Sequence, residues 1–474
     1  MITFRKFAAA SDGKLVRMYF TEARLGPQPA EQTSEALGQQ LEPGSRLTNY
    51  YTGRDAGPAW RPDMPLSVAR ALGVNSHHAP KNEELDRLFE GKRADNGEAW
   101  SNHKREISGY DFTFSPHKSV TLAAEFAADP AEAAAIRNAI HRANDAAMRY
   151  VAREIGWARR GRAGENGADP GAVGWVSFKH YIARPTLPVQ DGREGATYLL
   201  EAPIAGDPHD HIHNALFNLV VTGEGHIGSL DTQRLHARVH EFGAFAQAVL
   251  ADELRALGIR VAYDEKEQAA VILAIPQFAN EAFSKSTHQV LRNAKAFAAG
   301  QGLDWDDISA EKKAEILREA AAAARLAKHG EKTDHKIWRD QAEAMGWKHA
   351  TVMEGAKIDA LPVEARIERA YAFAARHLAE EFHTAAVIDH DRLRVHAARG
   401  LIGAGVAGGV KDIDRVVEQI ERKGIELHGE HVDLVSAWAK RENAEDEPRQ
   451  VLRVTNSAQI RVEEDLRMSI SVEI

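Results

Sequence analysis

The chain has 474 residues, of which 44% are hydrophobic and 27% charged, an ordinary globular balance with room for about three domains of roughly 150 residues. Lys and Arg total 60 against 69 for Asp and Glu, and the net charge of −9 argues against a protein that coats nucleic acid through bulk charge, though not against a local basic cleft. Cys is absent, which excludes disulfide scaffolds, thiolate metal sites and Cys nucleophiles together.

No apolar run approaches the ~18 residues of a membrane span, and Met1 to Phe7 has no apolar signal region. The expectation is a cytoplasmic chain without membrane insertion. Residues 2–7 alternate as a first strand, and Ser11-Asp12-Gly13 offers a cap for a helix over 14–24. A Gly-, Pro-, Gln- and Glu-rich stretch near 26–48 reads as an insertion. Residues 107–125 hold a strand, a turn and the opening of a helix expected to continue through the Ala-rich 130–155. Trp175 to Ile182 and His209 to Thr222 read as strands, 232–258 as an amphipathic helix and 259–274 as a hairpin. Beyond about 279 helical patterns prevail to about 396. A Gly-rich stretch follows at 400–409, then a helix at 411–423, short strands from 424 to 435 and a charged hinge at 441–449. The expected class is α+β, with an α+β domain first, a mostly helical region at 311–440 and a charged tail at 441–474.

The densest chemical signal is Asp207-Pro208-His209-Asp210-His211-Ile212-His213-Asn214. On a strand, side chains two apart share a face with Cα atoms about 6.5–7 Å apart, so His211 and His213 can aim two imidazoles at one ion. Adding His209 would stretch the set over about 13 Å, too far for one coordination shell. The third ligand therefore belongs on a neighbouring strand. His180 is the best candidate, with Glu201 and His209 as rivals. Three neutral imidazoles leave a divalent ion its full charge and open positions, an arrangement suited to gripping an anionic oxygen. Arg153, Arg159, Arg160 and Arg162 surround Trp157, a basic and aromatic mixture suited to backbone tracking and base stacking on single strands, with a solvated helix end as the other reading. Lys118 opens a helix, where it can help hold a phosphate, and Lys179 and Arg184 flank His180. Gly403 to Gly408 spells a literal GxGxxG, but it follows a helix and has no βαβ context, so a turn is expected there. No GxxxxGK[ST] occurs, and no nucleotide cofactor is expected.

Four blocks resemble the conjugative DNA relaxases of the MobF (TrwC/TraI-like) class, built on the HUH endonuclease fold. Gly109 to Val120 (GYDFTFSPHKSV) is similar to that family's G-[FY]-D-L-T-F-S-x-x-K-S-V block, and Asp207 to Asn218 to its D-P-x-L-H-T-H block. Phe178-Lys179-His180 with Arg184 resembles its F-R-H-x-T-S-R strand, and Phe283 to Thr287 its F-S-K-R-T end. The resemblance covers about 1–310 in the expected order. It implies a relaxase domain over 1–310, a central antiparallel sheet flanked by helices, with insertions near 26–48 and 185–206.

The resemblance also implies chemistry. Tyr19, on the first helix, stands where the family's nucleophile belongs, although the usual second tyrosine is Phe20. Tyr50 and Tyr51 resemble the family's second Tyr-Tyr stretch and are candidates for a second nucleophile or for base stacking. Asp111 resembles the carboxylate near the Tyr and His cluster. The implied reaction is metal-dependent nicking of single-stranded transfer-origin DNA, next to a hairpin. It leaves a 5′-phosphotyrosine, with Mg²⁺ or Mn²⁺ as the expected cation, Zn²⁺ or Ni²⁺ able to bind as tightly, and a conjugative secretion apparatus as a candidate partner. Members usually place the third His much closer to the HxH pair than His180 is to His211. If the hairpin were short, Leu200 would align with the third ligand and the site would be incomplete or use Glu201. A rolling-circle replication initiator shares this chemistry. A relative that binds DNA without cutting, and a metal-dependent hydrolase unrelated to DNA, are the readings from other classes. Val454 through Arg467 faintly resembles the lead-in to the helicase of longer members, which suggests a relaxase fragment or a helicase-less form.

Overall fold

The computed structural model describes residues 2–8, 57–100, 106–161, 166–183, 186–190, 192–193, 197–201, 206–235, 238–284, 287–317, 319, 334–353, 361–441 and 449–472. Tyr19, Tyr50, Tyr51, Arg162, Arg184 and the expected insertion at 26–48 lie outside these residues.

The first described strands are β1 (Ile2–Ala8), β2 (Ala59–Trp60), β3 (Ile107–Phe114), β4 (Trp157–Arg159), β5 (Ala168–Ala183), β6 (Thr186–Gln190), β7 (Thr197–Glu201), β8 (Asp207–Thr222) and β9 (Ile227–Gly228). All but β6 and β7 form one antiparallel sheet in the order β1-β3-β8-β5-β2, with β4 added to β5 and β9 to β8. The HxH strand, β8, is therefore central.

Sequence explains how β8 is covered. From Ala215 to Val221 it is apolar on both faces apart from the hydrogen-bonded Asn218, as suits a strand packed on both faces. Ala215, Phe217, Leu219 and Val221 pack with Val176 and Phe178 against Val68, Leu72, Leu85, Leu88 and Phe89 of helices Leu66–Leu72 and Asn82–Phe89. The opposite face, with Ile212, Leu216 and Val220, packs on helices Lys118–Phe126, Pro130–Ile155 and Val239–Ala256. Toward its N-terminal end the first face carries His209, His211 and His213, half-buried, where that apolar cover gives way to imidazoles.

The long helix expected to run unbroken from the turn through 155 is two helices. Ala127 is extended, Asp129 caps the second helix by accepting from the Ala131 amide at 2.8 Å, and Pro130 cannot continue the first because it has no N–H. The insertion near 185–206 contains its own two-stranded ribbon, β6 with β7, in the register Thr186↔Glu201 to Gln190↔Thr197. It extends the β5–β8 pair, which itself runs out to Ala183↔Asp207.

A hairpin of β10 (Val261–Asp264) and β11 (Ala269–Ile272) follows as expected. Helices Asp334–Ala344, Val363–Phe382, Asp391–Ala404 and Lys411–Lys423 lie in the C-terminal region. Their buried residues, including Trp338, Ala370, Leu378, Leu401 and Ile420, join the same continuous apolar cluster as the sheet's second face. A Cβ at Gly400 would lie 2.6 Å from the Ala370 carbonyl oxygen, so glycine permits helices Val363–Phe382 and Asp391–Ala404 to approach closely. Strands β12 (Ile388–Asp389), β13 (Ile425–Leu427), β14 (Glu430–Val432), β15 (Leu434–Arg441) and β16 (Arg449–Asn456) complete the region. The stretch read as a charged tail thus holds β16, paired with β15 and β12, and helix Ser457–Val472. The alternating Leu452, Val454 and Asn456 were a strand signal hidden by the surrounding charge.

Candidate metal centre

His180 on β5 is the direct cross-strand partner of His211 on β8, and Phe178 is the partner of His213. Residues two apart share a face, so His180, His211 and His213 converge. Their ring centroids are 5.0 Å (His180–His211), 4.9 Å (His180–His213) and 5.2 Å (His211–His213) apart. One nitrogen from each lies within 4.8 Å of the others, and His180 is only 8% exposed. Ligand atoms on one ion at bonds of about 2.0–2.2 Å sit about 3.0–3.4 Å apart, so small ring movements close the set.

Hydrogen bonds fix which nitrogens are available. Nδ1 of His211 donates to the carbonyl of His209 at 3.0 Å, and Nδ1 of His213 donates to Oδ2 of Asp111 at 2.8 Å. Both rings therefore present an unprotonated Nε2, the ligating form, and Asp111 stands behind His213 as carboxylates stand behind metal-bound imidazoles. Burial, followed by repulsion from His209, His180 and His213, holds His211 well below the usual histidine range, so it stays neutral. His209 lies on the same face, its ring 5.1 Å from His211, and burial with the nearby Lys118 ammonium pushes it down to about 3. Among the described residues it is outside the group of three.

Behind the sheet, Asn214 is fully buried. Its Nδ2 donates to the Phe112 carbonyl at 2.9 Å and to Asn144 Oδ1 at 2.8 Å, while its Oδ1 accepts from Ser177 at 2.7 Å. This amide ties β3, β8 and β5 to helix Pro130–Ile155 and locks the register that brings the histidines together. Thr113, the cross-strand partner of His213, donates its hydroxyl to Asp111 Oδ2 at 3.2 Å and lies 3.0 Å from His213 Nδ1. Neither Asn214 nor Thr113 was singled out from the sequence, although Thr113 stands two residues after Asp111 and thus on the same face.

Leu200 and Glu201 belong to the β6–β7 ribbon, with backbone partners Leu187 and Thr186, so the short-hairpin alignment does not hold. Lys118 comes to the base of the histidine strand, its Nζ donating to the Pro208 carbonyl at 2.7 Å. Lys179 does not join the site. Alternation turns it to the opposite face, where its Nζ lies 3.3 Å from Nδ1 of His141 and burial lowers its pKa. Arg159 and Arg160 are also apart from it. Strand β4 ends at Arg159, whose partner Ala168 lies about 40 Å along β5 from His180 at 3.3 Å per residue. Arg160 there pairs with Asp169 at 3.3 Å, and Arg159 reaches Ser229 at 3.4 Å. The GxGxxG segment ends a helix, and its amides are already taken. Val406 N donates to Asp252 at 2.6 Å, and Ala407 N and Gly408 N donate to Asp412 at 2.7 Å each.

Fold and site together define an α+β protein whose central antiparallel sheet carries a three-histidine candidate metal centre. The family model described as TrwC relaxase matches residues 18–345, and the chain belongs to the TrwC relaxase family. Solved structures of conjugative relaxase TrwC in complex with oriT DNA are similar at 20% identity, covering 73% of this chain and 99% of theirs. The TM-score is 0.44 for a metal-bound form and 0.45 for a copper-bound form. A TrwC complex with a 27-mer DNA comprising the recognition hairpin and the cleavage site matches at 19% identity, the same coverage and a TM-score of 0.44. No curated protein matches the chain. No helix among the described residues is long and apolar enough to cross a membrane.

Proposed function

We propose that this chain is a conjugative relaxase that binds single-stranded transfer-origin DNA beside a hairpin and nicks it by tyrosine transesterification. The observation that carries the reading is the convergence of His180, His211 and His213, with Asp111 behind His213, inside the stretch that matches the relaxase family. The three imidazoles would hold a divalent cation, Mg²⁺ or Mn²⁺, whose Lewis acidity would polarise a bound phosphate and favour attack on it. Asp111 keeps the His213 proton on Nδ1 and fixes the ring's aim. Lys118, at the base of the same strand, adds positive charge for the DNA backbone.

Tyr19 is the proposed nucleophile, one residue inside the start of the family match. A phenol with a pKa near 10 is a weak nucleophile until it loses its proton to a base or to water. Its oxygen then forms a bond to phosphorus as the bond to the 3′-oxygen breaks. The products are a 5′-phosphotyrosine and a free 3′-hydroxyl. One phosphodiester replaces another, so resealing needs no ATP. Tyr50 or Tyr51 is the proposed second nucleophile. The work would be done in the cytoplasm, before hand-over to a conjugative secretion apparatus.

The test is an end-labelled origin oligonucleotide incubated with Mn²⁺ and analysed on a denaturing gel. Wild type should form a protein–DNA adduct that EDTA and Tyr19→Phe each abolish. An adduct that persists in Tyr19→Phe moves the nucleophile to Tyr50 or Tyr51. Tight binding without any adduct, on the authentic origin strand, would make the chain a relative that holds DNA and does not cut it.

A further inference from the structure

We infer that Thr113 is a positioning residue for the metal centre, acting through Asp111 on His213. The inference rests on the reading that the three histidines hold a divalent cation. Thr113 and His213 are cross-strand partners on β3 and β8, and Asp111 shares their sheet face. The three side chains form a closed triangle. His213 Nδ1 is 2.8 Å from Asp111 Oδ2, the Thr113 hydroxyl donates to that same Oδ2 at 3.2 Å, and its oxygen is 3.0 Å from His213 Nδ1.

The direction of each bond follows from chemistry. A carboxylate only accepts, so both the imidazole N–H and the hydroxyl O–H point at Asp111. With its hydrogen committed there, the Thr113 oxygen turns a lone pair toward the imidazole and shares its N–H. One hydroxyl thus braces two partners: it holds the carboxylate rotamer and closes off the swing of the imidazole. Nε2 of His213 is then held toward His180 and His211. Groups of this kind behind a metal ligand typically matter 10–100-fold in metal affinity, and a residue one step further back belongs at about 10-fold.

Thr113→Val keeps the β-branched shape and strand preference and deletes only the hydroxyl, whereas Thr113→Ser keeps the hydroxyl and deletes the methyl. Mn²⁺ binding to the full chain is read by electron paramagnetic resonance of free Mn²⁺, and adduct formation is followed across a Mn²⁺ series. The expected result is about 10-fold weaker Mn²⁺ binding in Thr113→Val, with Thr113→Ser within twofold of wild type. The adduct rate of Thr113→Val should recover most of its loss at saturating Mn²⁺, a split that general loosening of the fold would not produce. Unchanged Mn²⁺ affinity in Thr113→Val overturns the inference. Equal losses in both variants also overturn it, because the methyl would then be what matters. Failure of wild type to bind Mn²⁺ at all would instead overturn the metal reading beneath it.

Discussion

Glu241 is wholly buried between two guanidinium groups, and its removal gives a sharp test of how the molecule is held together. Arg238 Nε donates to it at 2.8 Å from the turn before its own helix, Arg394 Nε donates at 2.8 Å from helix Asp391–Ala404, and the Tyr150 hydroxyl donates from helix Pro130–Ile155. One carboxylate therefore ties the layer behind the sheet to the C-terminal helices. In Glu241→Ala two guanidinium groups, 18% exposed or less, lose their shared counter-charge. Breaking a buried pair by removing one partner costs about 3–5 kcal/mol. Arg238 keeps Glu154 at 2.6 Å and Arg394 keeps Asp414 at 2.8 Å, which places the expected loss near the lower end, about 3 kcal/mol. Glu241→Gln, which keeps the volume and one acceptor, should lose roughly half as much. Urea denaturation followed by tryptophan fluorescence measures both, at matched slopes. A loss below about 1 kcal/mol in Glu241→Ala would refute the claim that this carboxylate is an electrostatic keystone.

Asp111→Asn should lower the adduct rate by about 10–100-fold while DNA affinity stays within about threefold, as measured on labelled origin strands. Lys179→Gln should leave both Mn²⁺ binding and the salt dependence of DNA binding unchanged, because Lys179 faces His141 on the other side of the sheet; a salt slope lowered by about one would contradict that placement. His141 is pushed from the usual 6.5 down to about 4 by burial and by Lys179, Arg137 and Arg142. Below pH 6.5 the unfolded chain takes up a proton that the folded chain refuses until about pH 4, so stability is full above this window and falls through it on acidification. The contribution is at most about 3 kcal/mol, and His141→Gln should flatten that part of a stability–pH profile.

What was legible in the sequence divides along physical lines. Period-two spacing put His211 and His213 on one face, and the tally of about 13 Å kept His209 out of the set. Both follow from strand geometry alone. The choice of His180 over Leu200 or Glu201 depended on register, which no local pattern encodes; the bulges and the paired ribbon β6–β7 decide it. Lys179 was misplaced because adjacency in sequence on a strand means opposite faces in space. The basic stretch around Arg159 and Arg160 was legible as charge but not as position, since a long strand separates it from the histidines. Thr113 and Asn214 were invisible as chemistry because a threonine and an asparagine on strands have many structural uses. Their roles appear only once β3, β8 and β5 are side by side. The helix break at Pro130 was readable from Asp129-Pro130, a cap followed by a residue that cannot continue a helix.

The most direct test of the account is equilibrium dialysis of the full chain against Mn²⁺, for wild type and for His180→Ala, His211→Ala and His213→Ala separately. One ion per chain in wild type is expected, with each single variant losing well over tenfold in affinity, because two imidazoles cannot replace three. No bound ion in wild type, or a variant that binds as wild type does, would contradict a centre built from these three histidines.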